Sequence, residues 1–282
     1  MTNAMLDAPT STAAPAPAGW EAALAPTWQA DFARLGYVVL PNLLDAAAIA
    51  ELKPEVDAIM ASQHALRAIE CQAHGMLLSH PTIMAAVERL LGPGFAFHHL
   101  HSARHDAGTP GVDWHHDYEQ HPQSNREHGM VHVFYYLNGL DGTVGDLLVR
   151  PGSHKWILDR RALSDCGTAD LPGSIVIDRL SPGSAVIVHS ACLHARRAKP
   201  GGEGRARYFI DASYCQAGIR WPSYSAADWR DLLALALQRG YDRGGRHAHL
   251  FDAAHFFDAR EAWERLDRLN HGSLIEQLPR DR

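Results

Sequence analysis

Apolar positions in the first third of the chain recur mainly at helical spacing. Trp28 to Leu35 (WQADFARL) carries such a stripe and stops at Gly36, while Tyr37-Val38-Val39-Leu40 is a continuous apolar run closed by Pro41, which predicts a short strand. Asp45 is placed to cap a helix over Ala46 to Met60, where Ile49, Leu52, Val56 and Met60 share a face. Residues 79–92 repeat the pattern, with Pro81 near the start and Gly92 at the end. After Gly94 the period shortens. Phe95 to Arg104 alternates, and Val131 to Leu137, Asp146 to Val149, Ser174 to Asp178, Ser184 to Val188 and Arg205 to Ser213 read as strands divided by Gly/Pro turns. Many short strands of this kind predict an all-β sandwich or barrel over about residues 95–216. From Ser225 the helical period returns, through 226–239 and 258–277, and no repeat of 20–50 residues is present.

Composition narrows this picture. Residues 1–27 are rich in Ala, Pro, Ser and Thr and bury too little apolar surface to order themselves; they predict a flexible tail with a short helical turn near Trp20 to Leu24. Residues 28–282 then form one domain: a helical part over 28–93, the β core over 95–216 and a helical part over 225–279. A net charge of −6 with no run of Lys and Arg speaks against nucleic acid as a partner. No apolar run reaches the ~18 residues that would span a bilayer, and the N-terminus lacks a secretory pattern, so the expectation is a cytoplasmic protein without a membrane partner. Cys71, Cys166, Cys192 and Cys215 form no C-x-x-C pair and are expected as free, buried thiols.

The chemistry gathers on Gly111 to Tyr118 (GVDWHHDY). In an extended strand His115 and Asp117 point one way, Trp114 and His116 the other. One imidazole and one carboxylate then need a second imidazole from elsewhere to make the two-His, one-carboxylate face that binds iron(II) with open positions. With 19 histidines in the chain a lone His-x-Asp carries little. A companion segment, Val188 to His194 (VHSACLH), offers two histidines, His189 and His194, and Arg205 follows 11 residues after the second.

Taken together, Trp114-His115-His116-Asp117, the turn from Asp146 through Pro151-Gly152-Ser153-His154-Lys155, and the stretch from Pro182-Gly183-Ser184 through His194 to Arg205 resemble the phytanoyl-CoA dioxygenase-like branch of the Fe(II)/2-oxoglutarate oxygenases. The resemblance covers about residues 95–215, more loosely the N-terminal helices. It implies a mainly β fold with flanking helices around a double-stranded β-helix (jelly-roll, cupin-like) core. It also implies that His115, Asp117 and His194 bind Fe(II), that Arg205 anchors the distal carboxylate of 2-oxoglutarate, and that O2 oxidises a small-molecule substrate with release of succinate and CO2. His194 is preferred to His189 by its spacing to Arg205, and Arg207, on the same strand face as Arg205, is the runner-up anchor. The family often has a less bulky polar residue where His116 stands. Halogenating relatives replace the carboxylate by a small residue; Asp117 is present, which favours hydroxylation.

Arg104, Tyr118, Glu119 and Tyr135 flank the proposed ligands as wall or contact residues, and Ser153 and His154 shape a turn. His247, His249 and His255 read as a solvated helix–loop boundary. The polar stretch from Tyr118 to Gly129 is expected to form a lid, and its His, Arg, Glu and Gln hint at a small polar metabolite. Two rivals remain: a cupin-type metalloenzyme that does not use 2-oxoglutarate, and a non-catalytic metal- or ligand-binding jelly-roll.

Overall fold

The computed structural model of the protein describes residues 20–119, 127–198, 205–224 and 228–260. A single 3-10 turn, Trp20–Ala23, precedes α1 (Trp28–Leu35), which buries Trp28 and Phe32. It ends where Gly36, at φ 85°, donates its amide to Phe32 O. After β1 (Tyr37–Leu40), Asp45 accepts from the Ala48 amide at 2.8 Å and caps α2 (Ala46–Ala61). Then come α3 (Gln72–Leu77) and α4 (Pro81–Leu91), the latter with Pro81 at its first position. The six-residue α3 has no periodic signature in the sequence. Its N-terminus is held from α2, where the Glu55 carboxylate accepts from the amides of Ala73 and His74, each at 2.9 Å.

The strands follow: β2 (Phe95–His105), β3 (Val112–His115), β4 (Met130–Tyr136), β5 (Leu140–Asp141), β6 (Leu147–Val149), β7 (Ile175–Ile177), β8 (Arg179–Leu180), β9 (Ser184–His189), β10 (His194–Arg196), β11 (Arg207–Gln216) and β12 (Trp221–Pro222). α5 (Trp229–Gln238) and β13 (Phe256–Phe257) complete the described chain. Two antiparallel sheets, β1-β9-β4-β11-β2 and β3-β10-β6-β7, make the double-stranded β-helix core.

Alternation explains the layers. On β4, Val131, Val133 and Tyr135 face the helices together with Ala185 and Ile187 of β9, in the large core that includes Leu52, Val56, Ile83 and Val87. Phe134, Tyr136, Val186 and Val188 face the other way, against Leu147 and Val149 of the second sheet. That sheet's outer face, with Trp114, Leu148, Leu193 and Ala195, is covered by Leu158, Leu163 and Leu171. Both faces of β4 are thus buried, which is why it reads as an unbroken apolar run.

Two strand expectations change. β3 stops at His115, so Asp117 follows it in irregular chain, and β11 begins at Arg207, leaving Arg205 outside the ladder. Of the helix expected over 258–277, everything from residue 261 lies outside the described residues, as do 120–126 of the expected lid and the tail before Trp20. Cys71, Cys192 and Cys215 are buried free thiols, whereas Cys166 is exposed. No helix among the described residues is long and apolar enough to cross a membrane.

Candidate metal centre

His115 and His194 face each other because β3 and β10 are neighbours in register, the two residues being cross-strand partners. Their ring centroids are 4.4 Å apart. Asp117 joins them through the chain beyond β3, whose path is fixed when the Asp117 amide donates to Ser190 O at 2.7 Å. Its Oδ2 lies 3.1 Å from His194 Nε2, and its Oδ1 3.7 Å from His115 Nε2. Metal–ligand bonds of ~2.1 Å place adjacent ligand atoms ~3.0–3.4 Å apart, close to this spacing.

The other ring nitrogens decide which atoms are on offer. His115 Nδ1 donates to Asp113 O at 2.6 Å and His194 Nδ1 to Cys192 O at 3.0 Å. Carbonyls only accept, so both rings carry a proton on Nδ1, and Nε2 is the nitrogen each turns toward the carboxylate. The two Nε2 atoms and the carboxylate thus converge as ligand atoms would, and backbone carbonyls that orient ligand imidazoles are a regular feature of metal sites. Burial, helped by His194, pushes the His115 pKa down to about 4, keeping the ring neutral. Burial alone would raise the Asp117 pKa, but His194, His132 and His115 outweigh it and hold the carboxyl well below its usual range.

The two candidate anchors part company. Arg205 is exposed and pairs with Asp141, so it does not line the cavity that holds the three ligands. Arg207 does. It is 2% exposed, with Nη2 3.3 Å from the Tyr136 hydroxyl and Nη1 3.3 Å from His105 Nδ1, and its guanidinium lies over Phe209. Among the described residues no carboxylate pairs with it, and its Nε has no hydrogen-bond partner. Arg196 lines the same cavity of about 270 Å3. Burial and then Arg207 depress the Arg196 pKa to about 10; burial, Arg196 and Arg207 hold His105 at about 3. This part of the cavity is cationic and has no acid of its own.

The remaining candidates separate cleanly. His116, on the face opposite His115 as expected, is buried and bonds Leu158 O at 2.9 Å. His189 packs against Tyr118 and His154, away from the ligands. Glu119 lines the cavity, but Tyr118, Tyr135 and Arg104 do not; Arg104 pairs with Asp57 and Asp106. Ser153 does more than turn the chain: its hydroxyl accepts from the Leu193 amide at 2.8 Å and donates to Arg150 O at 2.6 Å, bracing the segment that carries His194. His154 bonds Ala33 O at 3.1 Å. His247 precedes a short 3-10 turn, Ala248–Phe251, that contains His249, and His255 ends the next, Ala253–His255.

Two features had escaped sequence reasoning. Arg160 reaches Asp117 Oδ1 at 3.1 Å and Glu119 Oε1 at 3.0 Å, steering the carboxylate. No local pattern marks it. His99, His132 and Asp211 form a second buried cluster; the alternation of His99 and His101 on one face of β2 was the available signal.

The family described as phytanoyl-CoA dioxygenase (PhyH) matches the chain over residues 32–205. No curated protein matches it. Among solved structures, the non-heme alpha-ketoglutarate-dependent epimerase SnoN from nogalamycin biosynthesis is similar, with a TM-score of 0.57 and 21% identity over 73% of this chain and 86% of that one. EctD from S. alaskensis with bound Fe gives 0.61 and 17%, over 73% and 83%. HygX from Streptomyces hygroscopicus with nickel and 2-oxoglutarate gives 0.57 and 16%, over 73% and 94%. At such identities the likeness speaks for the fold.

Proposed function

The chain belongs to the phytanoyl-CoA dioxygenase family, and from that membership we propose that it is an iron(II)- and 2-oxoglutarate-dependent dioxygenase that hydroxylates a small-molecule metabolite. The observation that carries this is the charge pattern of one cavity: a two-imidazole, one-carboxylate set on its wall, together with an acid-free cationic region around Arg207. A buried guanidinium without a counter-charge is costly, and a dicarboxylate cosubstrate would supply what it lacks. Iron(II) held there supplies oxidation by O2 coupled to decarboxylation of 2-oxoglutarate to succinate and CO2.

The chain's own residues do the rest. His115, Asp117 and His194 would hold the iron(II) through two imidazole nitrogens and a carboxylate oxygen. Arg160 holds Asp117 Oδ1, and Oδ2 faces His194. Arg207, oriented by Tyr136 and His105, takes the distal carboxylate that the sequence had assigned to Arg205. Phe134, Leu147 and Phe209 line the cavity and exclude water from it. Retention of the Asp117 carboxylate favours hydroxylation over halogenation.

Anaerobic titration of 2-oxoglutarate into the Fe(II)-loaded protein tests this. A visible charge-transfer band in the wild type that is lost in Asp117→Ala, with succinate formed on admitting air, supports the proposal. Metal binding without any band would overturn the 2-oxoglutarate assignment and leave the cupin-type alternative.

A further inference from the structure

Asp211 of β11 is 3% exposed, and three imidazoles converge on it. His132 Nδ1 of β4 lies 2.9 Å from Asp211 Oδ2, His99 Nε2 of β2 lies 3.3 Å from the same oxygen, and His101 Nδ1 lies 3.7 Å from it. Register builds the cluster: Ser213 pairs with both His99 and His132, while Asp211 pairs with His101. The rings of His99 and His101 stack at 5.6 Å, and Tyr224 stacks on His99 at 4.3 Å from the outer side.

We propose that His99, His132 and Asp211 hold a second divalent cation of the imidazole-preferring class, with Zn2+ as its probe.

Three observations carry the inference. The closer spacings, 2.9 and 3.3 Å, are those of neighbouring ligand atoms at ~2.1 Å from a common ion, and they match those of the His115/Asp117/His194 set. His99 Nδ1 lies 2.7 Å from the Ser213 hydroxyl, an outer partner of the kind that orients a ligating ring. Finally, the number of imidazoles exceeds what a proton would need. One imidazole, His132 with its Nδ1 2.9 Å from Asp211 Oδ2, is enough to partner the buried carboxylate. His99 brings a second buried imidazole to the same carboxylate oxygen, at 3.3 Å, and a bound cation uses both rings.

Its three ligands come from three adjacent strands, which gives the site a structural role. It clips the edge strand β2 to β11 and β4 at the wall of the cavity that the first ligand set also lines. Tyr224 screens it on the side of a second, largely apolar cavity of about 400 Å3.

The test is the number of ions bound by the full chain. The protein is stripped with chelator and dialysed anaerobically against Zn2+, and bound metal is counted by mass spectrometry. Wild type is expected to take two ions per chain. An Asp117→Ala/His194→Ala protein keeps one, Asp211→Asn/His99→Ala keeps the other, and the combined variant none. A folded wild type that saturates with a single ion lost on changing Asp117 and His194 would refute the second site without recourse to any variant, leaving an Asp211–His132 ion pair. A second ion that survives the Asp211→Asn/His99→Ala change refutes it equally. Failure of the iron proposal would show in the other ion, the one sensitive to Asp117 and His194, so the two failures are distinguishable.

Discussion

Replacing Arg207 by Gln while leaving Arg205 intact, and the reverse, separates two guanidiniums that sit two residues apart. Arg207 is buried and already oriented by Tyr136 and His105. A charge-assisted hydrogen bond from such a group contributes ~1.5–3 kcal/mol, so a two-pronged contact with a carboxylate is worth about 3–5 kcal/mol. At ~1.4 kcal/mol per decade this predicts cosubstrate binding weakened by roughly 100- to 4,000-fold in Arg207→Gln. Arg207→Lys keeps the charge but not the planar fork and should recover only part of the loss. Arg205, 69% exposed and paired with Asp141, contributes at most ~1 kcal/mol to stability, so Arg205→Gln should bind 2-oxoglutarate within a few-fold of wild type. The assay is the anaerobic charge-transfer titration, with thermal melts to show that each variant is folded. Unchanged binding in Arg207→Gln beside a large loss in Arg205→Gln would refute the placement of the anchor in the cavity.

Other consequences can be measured separately. Asp117→Ala and His194→Ala should each abolish succinate formation and the tightly bound iron, as read by metal content after desalting; retention of full metal content in both would refute the ligand assignment. Glu55 caps α3, and although burial alone would raise its pKa, His74 and the two amides more than offset this and lower it below 4.5. Its stabilisation is therefore complete above pH 4.5 and is lost as pH falls through the lower folded value. Glu55→Gln should cost about 1–2 kcal/mol in urea melts at neutral pH, a difference that vanishes in acid; a cost independent of pH would exclude the carboxylate as its source. Gly36→Ala combines a left-handed backbone with a Cβ that would stand 2.5 Å from His154 Nδ1, so a loss of about 1–3 kcal/mol is expected, or several degrees in Tm. An unchanged Tm would contradict that packing.

Much of the fold was legible because its signals are local. The helical stripe of Trp28 to Leu35 and its stop at Gly36, the capping Asp45, and the run Tyr37 to Leu40 all correspond to observed elements. So did the apolar run of β4, although its burial on both faces became evident only once helices and the second sheet were seen against it. The short α3 was not legible, since its start is held by a carboxylate from another helix rather than by a residue of its own.

The division is the same at the site. By itself the sequence supplied the candidate ligand types and their order: a histidine and an aspartate two apart, another histidine in a later strand, and an arginine beyond it. Side-chain alternation, a property of the extended backbone, was enough to put His116 on the face opposite His115. Alternation cannot choose between Arg205 and Arg207, which have the same parity. That choice was made by where β11 begins its ladder with β2, Arg207 lying opposite His105 and Arg205 lying before the first pair. Nor could the sequence assemble His99, His132 and Asp211, which lie on three strands far apart in the chain. Only the pairing of β2, β11 and β4 brings them to one point, because strand register is decided by which faces the whole core buries and not by any local preference.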